Sequence, residues 1–85
     1  MIISFTPTAF EDYQHWASHD KAIFKKTNAL IKEILRTPFT GIGKPEPLKH
    51  ELVGFWSRRI TDVHRLVYKI EQDSVLVVSC RYHYE

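Results

Sequence analysis

Residues 55–82, FWSRRITDVHRLVYKIEQDSVLVVSCRY, decide the fold. Three β-prone runs, about Phe55–Thr61, His64–Glu71 and Ser74–Tyr82, are separated only by Asp62-Val63 and Gln72-Asp73. Connections that short turn consecutive strands back on each other, so the segment predicts an antiparallel meander. Immediately upstream, residues 38–47, PFTGIGKPEP, hold three of the four prolines and two of the three glycines, an irregular and stiffened loop. Two helical patterns come before it. Asp20 is a good N-cap for a helix over Lys21–Arg36, whose stripe is Ile23, Phe24, Thr27, Leu30, Ile31, Ile34 and Leu35. Thr37-Pro38 stops that helix, because a residue before proline avoids helical geometry. A first helix runs from about Pro7 to Ser18, with Ala9, Phe10, Tyr13, Trp16 and Ala17 at spacings of three and four. Thr8-x-x-Glu11 is a capping-box pattern that would start it two residues later. Ile2–Phe5 is a short strand. The order β-α-α-β-β-β predicts an α+β fold of two layers, two N-terminal helices packed on a mainly antiparallel sheet.

Length and composition agree. Eighty-five residues are expected to form a single domain, 1–85, that buries roughly 60–65% of its unfolded surface around one small core. The chain is 44% hydrophobic and 13% aromatic, which argues against disorder. One cysteine, Cys80, cannot close an intramolecular disulfide; this points to a reducing compartment, with a cytoplasmic location expected. No apolar run approaches 18 residues, so no membrane association is expected. A net charge of +2 is compatible with a nucleic-acid partner without establishing one.

Strand parity then locates a face for chemistry, since alternate residues point to opposite sides of a sheet. Placing Leu66, Tyr68 and Ile70 inward sends Arg65 and Lys69 outward, and Trp56 and Ile60 inward send Arg59 outward. With Leu76, Val78 and Cys80 inward, Arg81 and His83 join them, and Val75 and Val77 are left on the open side. Arg58 then falls on the core face. Arginines, a histidine and a nearby loop carrying Glu46 and Lys49 suit a phosphodiester substrate, because guanidinium grips phosphate with a two-pronged fork. RNA supplies its own nucleophile, the 2′-hydroxyl, so a base, an acid and cations suffice. Read from the residues alone, the constellation does not single out RNA cleavage.

The ordered motifs GKPEPLKH (43–50), GFWSRRIT (54–61), HRLVY (64–68) and CRYHY (80–84) are the most specific feature of the chain. With them it closely resembles the YoeB family of RelE-type toxins, from bacterial toxin–antitoxin pairs, over essentially residues 1–84. The resemblance implies a RelE/microbial-RNase-like fold. It implies a ribosome-dependent mRNA endonuclease that cuts mRNA in the 70S A site and is neutralised by a cognate antitoxin. By motif, Glu46 matches the general base, His83 the general acid and Arg65 the residue that stabilises the transition-state phosphate. Lys49 and Arg59 match supporting cations, and Tyr84 a substrate-orienting residue. Glu85 departs from the pattern, which ends at or near the final His-Tyr, and adds negative charge beside an anion site.

Each residue also has a plain structural reading. Glu46 between two prolines can be a solubilising loop residue, and His83 a strand-end histidine. Lys21, Lys25 and Lys26 belong by default to a solvated helix face, with ribosomal RNA as the other option. Trp56 is expected in the core or at a partner interface, His50 and His64 as structural or surface residues, and Cys80 in the core. No histidine pair has metal-ligand spacing backed by cysteine or carboxylate, so no metal and no cofactor is expected. The expected partners are the antitoxin, as an acidic and apolar segment that covers the Arg65–His83 face or displaces the C-terminal tail, and mRNA on the ribosome. Operator DNA is reached only through the antitoxin complex, and a homodimer is open. The competing function is a catalytically weak or inactive homologue that acts as an antitoxin- and operator-binding co-repressor module. A gyrase-poisoning relative would lack this Glu, Arg and His set.

Overall fold

Thr6 and Asp20 set the two helices in register with the sheet. Thr6 Oγ1 accepts the Ala9 N–H at 3.1 Å, and Pro7 occupies the first turn of α1, Pro7–His19. The cap is therefore Thr6, and the Thr8–Glu11 box is not used. Asp20 Oδ1 accepts the Ile23 N–H at 3.1 Å and starts α2, Lys21–Arg36. The computed structural model describes residues 1–82. Its strands are β1 (Ile2–Phe5), β2 (Glu46–Pro47), β3 (Phe55–Arg59), β4 (Arg65–Glu71) and β5 (Ser74–Ser79). They form one five-stranded sheet in the order β1-β5-β4-β3-β2, with β1 parallel to β5 and every other pair antiparallel. The expected α+β architecture is the observed one. The expected loop 38–47 differs at its end, where Glu46 and Pro47 add the short edge strand β2.

The core lies between the helices and one sheet face. Ala9 and Trp16 of α1 and Leu30, Ile31 and Ile34 of α2 meet Ile60, Leu66, Tyr68, Val75, Val77 and Cys80. Each buried aliphatic side chain contributes roughly 1.5–3 kcal/mol before entropy is charged against it. β3 and β4 follow the expected parity. β5 does not: Val75 and Val77 face the core and not the open side. The reason is a β-bulge. Val67 pairs with Ser79 but Tyr68 pairs with Val77, so Val78 is an extra residue and the alternation shifts there. Cys80 thus faces inward as expected, although Val75 and Val77 do as well. The bulge carbonyl is satisfied, since Thr6 Oγ1 donates to Val78 O at 2.8 Å.

Past the bulge the chain is fastened to α1. Trp16 Nε1 donates to Cys80 O at 2.8 Å, and Cys80 N donates to Asp12 Oδ2 at 3.0 Å. Arg81 follows, with its guanidinium 5.9 Å from the Trp16 ring centre and 4.9 Å from that of Tyr82. Its contact with α1 corrects the expectation that Arg81 lines the open face with Arg65. Once the ladder ends at Ser79, the pleat no longer dictates direction.

Candidate functional site

The open face of the sheet is built in cross-strand rows. Glu46 is paired with Ser57, Ser57 with Val67, and Val67 with Ser79. Directly paired residues project to the same side, so Glu46 stands over a floor of buried Ser57, Val67 and Ser79. One period further along, Arg59 is paired with Arg65. Strand spacing and rise put the Glu46 Cα about 8 Å from that of Arg59 and about 12 Å from that of Arg65. Long side chains span such gaps, leaving room for one phosphodiester between them. Two guanidinium residues opposite each other repel, and an anion between them relieves the repulsion. Glu46 and Arg59 are exposed, Arg65 is half-buried, and Lys49 is exposed just before a 3₁₀ turn at His50–Leu52. His83 and Tyr84 lie outside the described residues, as does Glu85.

The surroundings hold these groups in place. Arg65 Nη1 donates to Thr61 O at 2.7 Å and to Asp62 O and His64 O at 3.3 Å each, which pins one prong on the β3–β4 turn. The Arg65 N–H donates to Tyr82 O at 3.1 Å, and the Tyr82 N–H donates to His64 Nδ1 at 2.7 Å. The His64 ring accepts through Nδ1 and packs edge-on to Trp16 at 4.6 Å. Tyr82 has φ 64°, a left-handed backbone that a non-glycine residue adopts only when its neighbours hold it. Both backbone groups of the residue before His83 are thus fixed beside Arg65.

Arg58 is the feature that sequence reasoning underrated. It is fully buried on the core face. Its guanidinium donates to Thr37 O at 2.6 Å, Thr40 O at 2.8 Å, Ile42 O at 3.0 Å and Tyr68 Oη at 3.1 Å. Tyr68 in turn donates to Pro38 O at 2.7 Å. Burial pushes the Tyr68 hydroxyl pKa up, with Arg58 opposing the shift. The loop leading to Glu46 is therefore fastened through its carbonyls to an arginine. Glu33 holds it from outside: its carboxylate accepts the Ile42 N–H at 3.3 Å and binds Arg36 at 2.8 Å. The Arg36 hydrogen bond, aided by Ile42, keeps the Glu33 carboxyl below its ordinary pKa despite partial desolvation. The adjacent pair Arg58-Arg59 was the available signal, because one of two consecutive strand residues must point inward. Among the described residues, no group of three His, Cys, Asp or Glu side chains could hold a metal ion. No helix among them is long and apolar enough to cross a membrane.

Comparison with known proteins agrees with the motifs. Residues 5–84 match the profile of the YoeB-like toxin of bacterial type II toxin-antitoxin systems. Toxin YoeB of Escherichia coli K12 is 57% identical over 84 residues, which cover 99% of this chain and all of that one. A solved YoeB/ParE toxin from Agrobacterium tumefaciens superposes with a TM-score of 0.97 at 44% identity, over 99% of this chain and 100% of that one. A Staphylococcus aureus YoeB, 48% identical over 99% of this chain and 98% of its own, has been solved both as a dimer and in a heterotetrameric complex with YefM. Its TM-scores are 0.93 and 0.92. The chain belongs to the YoeB toxins of bacterial type II toxin–antitoxin systems.

Proposed function

We propose that this toxin is a metal-independent endoribonuclease that cuts mRNA in the ribosomal A site. The observation that carries the reading is the pair of rows on one sheet face, Glu46 over Ser57 and, next to it, Arg59 opposite Arg65. Glu46 takes the proton of the ribose 2′-hydroxyl, and the 2′-oxygen attacks the adjacent phosphorus. Arg65, with Arg59 and Lys49, stabilises the extra negative charge on the phosphorane. The bond from phosphorus to the 5′-oxygen breaks, and His83 gives that oxygen a proton. The products are a 2′,3′-cyclic phosphate and a 5′-hydroxyl end, so atoms and charge balance without metal. Tyr84 orients the substrate. Base and acid each contribute roughly 10²–10⁴ in rate.

In a cell, the partner is a cognate antitoxin, as YefM is for the S. aureus toxin. An acidic, apolar segment suits the Arg65 face and the exposed aromatic and aliphatic side chains near it. Operator DNA is bound only through that complex, and the toxin forms a homodimer, as in the solved S. aureus YoeB dimer. The toxin works in the cytoplasm, where its ribosomal target is.

Programmed ribosomes test the reading. Purified toxin is given ribosome-bound mRNA carrying either ribose or 2′-deoxyribose at the mapped cut site, with EDTA-treated free RNA as a separate arm. Cleavage of the ribose template alone is expected. Cleavage of both templates would refute 2′-hydroxyl attack. Cleavage of neither, by folded protein that still binds its antitoxin, would favour a co-repressor module.

A further inference from the structure

A cavity of about 330 Å³ opens where β3 ends. Three cations line it: Lys26 from α2, Lys44 from the glycine- and proline-rich loop, and Arg59 from β3. Ile60 supplies an apolar wall and Asp62 one carboxylate, so the lining is net positive. The fold brings these groups together from distant parts of the chain. The Arg59 N–H donates to Gly43 O at 2.7 Å, which seats Lys44 beside the last residue of β3. Gly43, at φ 85°, packs so closely that an added Cβ would come within 2.7 Å of Leu30 Cδ2. Leu30 belongs to α2, the helix that carries Lys26, so the loop is clamped between strand and helix. Lys44 itself is held at φ 50°, a left-handed conformation uncommon for lysine.

Arg59 is shared. It lines the cavity and is also paired with Arg65 on the open face. The two regions also share a wall, because Thr61 and Asp62 of the cavity are the residues whose carbonyls hold Arg65 Nη1. A polyanion lying across Arg59 and Arg65 would continue into the cavity with its next charge. The geometry points to a second phosphate site, in which Lys26, Lys44 and Arg59 take a backbone phosphodiester of RNA beside the anion held at Arg65. This rests on the function proposed above for the open face. A nucleic-acid backbone fits better than an acidic peptide for two reasons. Its charges recur at regular intervals along one strand. The cavity is also at the lower end of those that hold small molecules, large enough for a phosphate with part of its sugar. The strand is either the one being cut or ribosomal RNA.

The test is binding by a Lys26→Gln/Lys44→Gln variant, compared with a Lys21→Gln/Lys32→Gln control whose side chains are outside the cavity. Three probes separate the sources: an uncleavable 2′-O-methyl RNA decanucleotide, ribosomes without mRNA, and an octaglutamate peptide. The cavity variant should bind RNA about tenfold more weakly than wild type. The slope of log affinity against log salt should fall by about 0.7, the value for one single-strand phosphate contact. Loss toward the decanucleotide assigns the site to the cut strand, and loss toward ribosomes alone assigns it to ribosomal RNA. Unchanged affinity for both RNA probes, equal loss in the control pair, or loss toward octaglutamate with both RNA probes unchanged would overturn the inference. Binding needs no cleavage, so the two readings fail separately. A toxin that cuts normally but shows no cavity effect refutes the site, and one that shows the effect but never cuts refutes the mechanism.

Discussion

Cys80 has no exposed surface, and burial pushes its thiol from an ordinary 9.0 up to about 12, with the Asp12 carboxylate acting in the same direction. The folded protein therefore keeps this proton at a pH where the unfolded chain has lost it. The resulting stabilisation is complete below pH 9 and declines as pH rises toward 12, by at most about 1.4 kcal/mol per pH unit. Urea unfolding of wild type and Cys80→Ala at pH 8, 9 and 10.5 checks this. Wild type should lead at pH 8, and its lead should narrow above pH 9. A constant gap across the series would mean that the thiol ionises as freely in the folded state as in the unfolded one. The same burial should leave Cys80 unreactive toward iodoacetamide at pH 8, where the thiol stays protonated.

Among the elements, the loop between α2 and β2 depends most on a single side chain. A run with proline and glycine reads as irregular, and that much was visible in PFTGIGKPEP. Its anchoring was not visible, because the acceptors are backbone carbonyls that no side-chain pattern announces. Arg58→Ala would remove the donor shared by the Thr37, Thr40 and Ile42 carbonyls and the Tyr68 hydroxyl and leave a void in the core. The expected loss is about 3–5 kcal/mol in urea unfolding, a large part of a small domain's stability. Arg58→Lys keeps the charge and some donors, so it should lose less. If Arg58→Ala unfolded within about 1 kcal/mol of wild type, the loop would be held by something else. β5 failed in the other direction. The run VLVV is apolar on both sides, so parity had two solutions, and only the bulge at Val78, fixed by Thr6 from the far end of the chain, selects one.

Over the whole molecule, core and candidate site occupy opposite faces of one sheet, and they were legible to different degrees. Alternation within β3 and β4 was enough to bring Arg59 and Arg65 together. The sequence could place Glu46 only on a loop near the site, because a residue read as loop has no parity; the β2–β3 ladder is what gives it a face. This separation has a measurable consequence. Glu46 is exposed and makes no contribution to the buried cluster, so Glu46→Gln should leave thermal unfolding within about 4 °C of wild type. The same change removes the proposed base, because an amide cannot accept the 2′-hydroxyl proton. Single-turnover cleavage on programmed ribosomes should therefore fall by roughly 10²–10⁴. Antitoxin binding, measured in parallel, should persist and show that the folded surface is intact. Wild-type cleavage by Glu46→Gln would remove Glu46 from the mechanism and leave Arg59 and Arg65 as an anion clamp whose base is elsewhere.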